Sequence, residues 1–485
     1  MFGEAESGKS IGKFKVDKMN HWWLLFVLNM PLLQEATRKY LIYSDLVFLG
    51  GDLVVLIAGI ILAFQGRLNV SNVPPAFLLL SALFVATTAV SHAASGNQIG
   101  VYGVGLRATF LPLAYMLVSA RYLSAVKNGY ERIFFCVSVW IVIIGIVAML
   151  QIALGKSHPI NAVWGTSALG VGDFTTMDKG VLIHGMFRPT SIFTHTGKFG
   201  QVIFTLVLFK WCYLLFSNVM RSAWPYGFML FDLAVVLISG QRAALMFLVL
   251  SIGITVISSR QHGSLLRNIL APGLLITTGL FGVWVAKPDI ATAVYDRFAS
   301  VIEAIPIRLE GNLWLPIQTI LEEYLFDGKG LGYFTFGARS FGGTLVYEGI
   351  KMEGLGESSL IRFCGEVGLL IAATMILAYM TIVARAWYFY RVHNGAPAAS
   401  GALFFFIWMT CLLFWSNTAD VFGNSVVTTL GFGLGGATLC SLRPESDGQL
   451  VANRHVPSRD ISRGYSREAN GHLALDQQNV GNMIL

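Results

Sequence analysis

About twelve apolar runs, many near the ~20 residues a helix needs to cross a bilayer, succeed one another along this chain of 485 residues. They fall near 20–34, 45–65, 76–92, 101–120, 133–154, 200–217, 224–240, 243–259, 268–286, 359–384, 400–416 and 420–441. No other feature constrains the fold so strongly, because in hydrocarbon each segment must satisfy its own backbone N–H and C=O groups, and a helix does so alone. The chain is 55% hydrophobic and 13% charged, with a mean hydropathy of +0.63, against roughly 45–50% apolar and about 25% charged in soluble domains. A soluble globular protein is excluded. The expected fold class is an all-α polytopic membrane protein of about 12 transmembrane helices.

The net charge of +7 would suit a nucleic-acid partner if the basic residues made a face, but they lie mostly in the short connections between apolar runs. There they orient helices, and no nucleic acid is expected. With the N-terminus in the cytoplasm, the inside connections carry Arg67, then Arg121, Lys127 and Arg132, then Arg221, then Arg260 and Arg267, then Arg385 and Arg391. The short outside connections His92–Gly100 and Asn417–Asp420 have no Lys or Arg, and the others hold only Arg38 and Lys39, or Arg242. Both termini are therefore expected in the cytoplasm. Residues 1–19 read as a cytoplasmic N-terminal segment, 20–441 as the transmembrane domain and 442–485 as a polar, disordered cytoplasmic tail. The first run lacks a small-residue cleavage site and reads as a retained helix. All five cysteines sit in or at the ends of apolar runs with no CxxC spacing, so neither a disulfide framework nor a zinc site is suggested.

Two long connections, about 155–199 and 287–358, then fall on the outer side. Loops that long are functional or disordered. Their Trp164, Trp314, Leu315, Tyr324, Tyr333 and Phe334 argue for folded caps.

The residues able to do chemistry gather beside those caps. Arg242 follows Ser239-Gly240-Gln241 at an outer turn. It is either a topology anchor or a ligand, and an outer arginine works against the positive-inside bias, which favours a ligand. Arg188 stands where the first cap enters a helix. It can pair with Asp173 or Asp178, or join the free N–H groups of that helix start as an anion site. Arg308 and Glu357 lie in and at the end of the second cap, and Arg107 two turns into the fourth run. They suit a polar pocket at the outer interface, a solvated loop end being the plainer alternative. Lys210 and Asp232 lie seven and eight residues from the inner ends of neighbouring runs, at nearly equal depth. A structural ion pair is expected there, a proton relay being the other reading. There is no Walker loop, Rossmann fingerprint, HExxH or CxxCH motif, and no DxD in the outer loops, so no metal and no cofactor is expected.

Arg-Pro-Thr-Ser-Ile-Phe at 188–193, Ser-Gly-Gln-Arg-Ala-Ala at 239–244, Gly-Lys-Gly-Leu-Gly-Tyr-Phe at 328–334 and Glu-Ser-Ser-Leu-Ile-Arg-Phe-Cys-Gly-Glu-Val-Gly at 357–368, in that order beneath large outer loops, resemble the O-antigen polymerase and O-antigen ligase family of bacterial envelope glycosyltransferases. The likeness covers roughly 180–385. It implies a GT-C-like membrane enzyme of the bacterial inner membrane that moves a glycan from a polyprenyl pyrophosphate to a hydroxyl at the periplasmic face, without metal or nucleotide sugar. On that resemblance the partners are the polyprenyl-pyrophosphate-linked oligosaccharide and membrane lipid, with a flippase and a chain-length regulator as candidate protein partners. Arg188, Arg242, Arg308 and Arg107 would bind the donor, since arginine offers an always-charged, bidentate partner for a departing pyrophosphate. Glu357 would be the general base. In the ligase branch a His stands nine residues before the Glu of the Glu-x-Gly segment, whereas nine before Glu366 stands Glu357. That departure favours a polymerase of lipid-linked repeat units of an exopolysaccharide over a ligase. A flippase or secondary transporter is the alternative from another class, and it should show broken helices and ionisable groups at mid-membrane.

Overall fold

The computed structural model describes residues 10–42, 45–64, 73–126, 128–155, 158–161, 182–183, 186–216, 224–258, 310–335, 358–393, 397–416 and 425–441, with the single positions 278, 292 and 306. Apart from a two-residue antiparallel ladder, Leu182–Ile183 against Met186–Phe187, the regular structure of the described residues is helical. The helices are α1 Ser10–Tyr40, α2 Asp45–Phe64, α3 Pro75–Ser95, α4 Ile99–Ala125, α5 Gly129–Leu154, α6 Thr196–Phe216, α7 Trp224–Ile238, α8 Arg242–Ser258, α9 Leu315–Glu323, α10 Ser359–Val367, α11 Leu369–Val392 and α12 Pro397–Trp415. A last helical stretch runs from Ser425 to Ser441, widened by one π-helical turn at Phe432–Gly436.

The chain is a helical membrane protein by the character of these helices. Among the described residues, α3, α4, α5 and α11 are each long and apolar enough to cross a bilayer. Shorter apolar segments lie at 49–62, 227–238, 242–255, 399–415 and 426–439. Helix α5 shows why water cannot be the solvent. Ile133, Val137, Ile141, Ile144 and Ala148 face inward, while Phe135, Val139, Ile143, Ile146 and Leu150 face outward and exposed. A water-soluble helix would be polar on that outer face.

Eleven of the twelve apolar runs coincide with helical segments, and the run at 268–286, apart from position 278, lies outside the described residues. One expectation needs correction. The run at 359–384 is not one helix but two, α10 and α11, broken at Gly368, where φ is +83°. The break turns Arg362 and Glu366 into residues of a separate short helix, both buried.

Helix α12 and the 425–441 stretch form the innermost layer, with Trp408, Trp415, Phe404 and Phe405 almost wholly enclosed. Helix α6 packs on α12, α5, α7 and α8; α4 packs on α1, α2 and the 425–441 stretch, and α11 on α3 and α12. The end of α1 and the starts of α2, α4, α6 and α8 meet at one end of this assembly, and the candidate site is there.

Candidate functional site

The turn that carries Arg188 is built by its neighbours in sequence. Phe193 N–H donates to the Thr190 carbonyl at 3.1 Å, and the buried Phe193 stacks on Phe199 with ring centres 6.3 Å apart. Helix α6 begins immediately after. His195 Nδ1 accepts from Gly197 N–H at 3.0 Å, capping an amide that the first helical turn leaves free.

A second turn, Ser239–Gln241, sits against the first. The Arg188 side chain lies along Gly240, so that a methyl group there would come within 3.3 Å of its Cγ and Nε. Gly240 has φ +61°, a left-handed conformation that allows the tight turn. The Gln241 side chain covers Gly200 in the first turn of α6. Arg188 and Arg242 are 54 residues apart in the chain, yet Arg188 packs on the residue two before Arg242.

A chain of buried charges continues from α6 across α1 to α2 and α4. Lys198 Nζ donates to Glu35 Oε1 at 3.0 Å, and Arg38 lies 3.3 Å from the same oxygen. Glu35 is fully buried. Burial alone would raise its pKa, but Lys198 and Arg38 together hold the carboxyl below its ordinary value. Arg107 pairs with Asp52, and Arg38 and Glu35 both act on Asp52 through space. Next to Glu35 along α1, Lys39 is fully buried, and burial pulls its ammonium down to about 7. Tyr40 is pushed up to about 12 by burial, against the opposing hydrogen bond from Gln151. His195 is exposed, but the protein packed around it, with Lys198 and Arg188, depresses its pKa to about 4. It is neutral at physiological pH. In this group Glu35 and Asp52 face Arg38, Arg107 and Lys198, so the charges at this end of the helices are held in a fixed arrangement inside the protein.

On the other face of α4 the glycine-rich segment is stapled in place. Gly332 N–H donates to Glu366 Oε2 at 3.1 Å, and Phe334 N–H and Thr335 Oγ1 donate to Oε1 at 2.9 and 3.0 Å. Gly332 has φ +92° and lies so close to Gly105 of α4 that neither could carry a side chain. The 328–334 and 357–368 segments, separate in sequence, are thus joined by one carboxylate. The start of α10 is fixed as well. Ser358 Oγ accepts from Ile361 N–H at 3.2 Å and donates to the Ser416 carbonyl at 2.9 Å.

Of the residues singled out in the sequence, Arg188 is brought against Gly240 in the turn that leads into Arg242. Arg107 lies at the same end, engaged by Asp52. Glu357 and Arg308 lie outside the described residues. Sequence reasoning missed Glu35, Lys198, Gln151 and Ser191. A signal for the first was present: Glu35 stands one turn before Arg38 and Lys39 at the end of an apolar helix, where three such charges must find partners inside the protein. No family model and no curated protein matches the chain.

Proposed function

We propose that this protein is a metal-independent membrane glycosyltransferase that joins polyprenyl-pyrophosphate-linked oligosaccharide repeat units into a polysaccharide at the periplasmic face of a bacterial inner membrane. The observation that carries this reading is the contact of Arg188 with Gly240, which joins the turn before α6 to the turn that leads into Arg242. A pyrophosphate takes on negative charge as it leaves, and preorganised guanidinium groups stabilise that charge where it develops.

In the reaction the bond between the anomeric carbon and the pyrophosphate oxygen breaks, and the electron pair leaves with the polyprenyl pyrophosphate. An acceptor hydroxyl oxygen forms the new bond to that carbon, and Glu357 takes the hydroxyl proton. Arg188 and Arg242 hold the leaving group. Arg107, tied to Asp52, keeps the charged chain in place behind them.

Deleting the gene and examining the lipid-linked glycans tests the assignment. Single repeat units should accumulate on the carrier lipid. Finished polymer left on its carrier would make the protein a ligase, and repeat units held in the cytoplasmic leaflet would make it a transporter. With the purified protein and lipid-linked substrate, Glu357→Gln should abolish polymerisation with donor binding nearly unchanged; normal polymerisation would remove Glu357 from the chemistry.

A further inference from the structure

We propose that Gln151, with Lys39 and Tyr40, positions Arg188 by clamping Ser191 in a left-handed backbone conformation. This rests on the reading of Arg188 as a pyrophosphate ligand. Ser191 has φ +53°, a region that residues with a Cβ adopt only when their surroundings impose it. Here every polar group of Ser191 is engaged. Its N–H donates to Gln151 Oε1 at 2.7 Å, and its carbonyl accepts from Gln151 Nε2 at 3.0 Å, from Tyr40 OH at 3.1 Å and from Lys39 Nζ. Its Oγ donates to the Ile144 carbonyl at 2.7 Å. Ser191, Gln151 and Lys39 are all fully buried.

The chemistry of this cluster is specific. A carboxamide offers an acceptor and a donor side by side without titrating, as the N–H and C=O of one residue require. A glutamate of the same size would meet the carbonyl with an oxygen. The lysine is the costlier choice, since a buried ammonium whose partners are the Thr190 hydroxyl and the Ser191 carbonyl loses its hydration without a carboxylate in return. A turn needed only for packing could be filled by apolar side chains at lower cost.

Geometry shows what the clamp controls. Arg188 is three residues before Ser191, separated from it by Pro189, whose ring fixes φ, and by Thr190, whose hydroxyl accepts from Lys39 Nζ at 2.5 Å. Little slack remains between the clamped carbonyl and the Arg188 backbone. On the other side, Lys198 follows Ser191 by seven residues, at the start of α6. A shift of Ser191 therefore moves Arg188 along Gly240 while α6 keeps its own packing.

The test uses the full-length protein in lipid nanodiscs, with hydrogen exchange and polyprenyl pyrophosphate binding as readouts. Gln151→Leu should raise exchange across 188–195 without raising it in α6. It should weaken binding about tenfold, the effect of roughly one lost hydrogen-bond pair. In an Arg188→Ala background it should weaken binding no further, because two changes acting through one contact do not add. Gln151→Asn keeps the carboxamide with a reach one methylene shorter and serves as a milder variant with the same coupling should the leucine protein fail to fold. Unchanged exchange at 188–195, or losses that add fully with Arg188→Ala, would overturn the clamp. If the wild-type protein binds no polyprenyl pyrophosphate, the pyrophosphate reading falls and Arg188 is not being positioned for it.

Discussion

Lys210 Nζ lies 2.9 Å from Asp232 Oδ1 and 2.7 Å from Oδ2, between α6 and α7, with both residues only 3% exposed. The ring of Phe228 adds a second contact, 5.2 Å from the ammonium. The pair is closed on itself, as a structural tie between two antiparallel helices should be. Removing one partner leaves a charge in hydrocarbon, at a cost of about 3–5 kcal/mol, whereas replacing both with apolar groups is far milder. Lys210→Met should lower protein abundance in the membrane more than Lys210→Met with Asp232→Leu, measured by immunoblot. Equal losses in the single and double variants would deny the pair its structural role.

Glu366 is another buried carboxylate, with both oxygens hydrogen-bonded. Its three hydrogen bonds, from Gly332, Phe334 and Thr335, leave it acting as a staple between the glycine-rich segment and α10. Glu366→Gln puts an amide donor opposite a donor, and an unsatisfied buried group costs about 1–3 kcal/mol. Its thermal midpoint should fall clearly, and that of Thr335→Val, which loses a single bond, should fall less. A Glu366→Gln protein as stable as wild type would free Glu366 for a part in the chemistry.

How much of this was legible in the sequence depends on distance along the chain. The helices were, because each apolar run carries its own period and length. The Lys210–Asp232 pair was too, since equal depth in adjacent runs follows from the rise per residue. The break at Gly368 was not read, although Gly365 and Gly368 with Arg362 and Glu366 crowd the start of that run, because glycines and charges there fit a helix end at the membrane surface as well as a helix that restarts. The site itself was half visible. Arg188 and Arg242 stood out as outer arginines, but the Glu35–Lys198 contact spans 163 positions and the Lys39–Thr190 contact 151. Such contacts exist only once the helices have packed, and nothing in the local sequence at either end announces the other.

Gly240 is the position at which the two arginine turns touch, so the smallest addition there should be felt. Alanine would place its methyl 3.3 Å from Arg188 Cγ and Nε and would also have to adopt φ +61°, a conformation that costs a residue with a Cβ about 1–2 kcal/mol. Gly240→Ala should reduce polymer output about tenfold at near-normal abundance, read from purified protein with lipid-linked substrate. Gly240→Asn separates the causes, because asparagine tolerates the left-handed region but brings the same Cβ. Activity restored in the asparagine variant would mean that backbone strain, and not displacement of Arg188, explains the alanine result.

Lys39 should give the protein a pH signature. It stands in the last turn of α1, five residues beyond the apolar run that ends at 34. Burial lowers its folded-state pKa from 10.5 to about 7. Below about 7 the lysine is charged in both the folded and the unfolded chain, and the folded state bears the whole cost of burying it. Between 7 and 10.5 the unfolded chain holds a proton that the folded one has released, so stability rises with pH across that window, by at most about 1.4 kcal/mol per pH unit. Lys39→Met has no proton to release and should lose this slope. Thermal unfolding of the two proteins in detergent from pH 7 to pH 10 makes the comparison, with the wild-type midpoint climbing relative to the variant. Parallel curves would mean that Lys39 stays charged inside the fold, held by the Thr190 hydroxyl and the Ser191 carbonyl as firmly as by water.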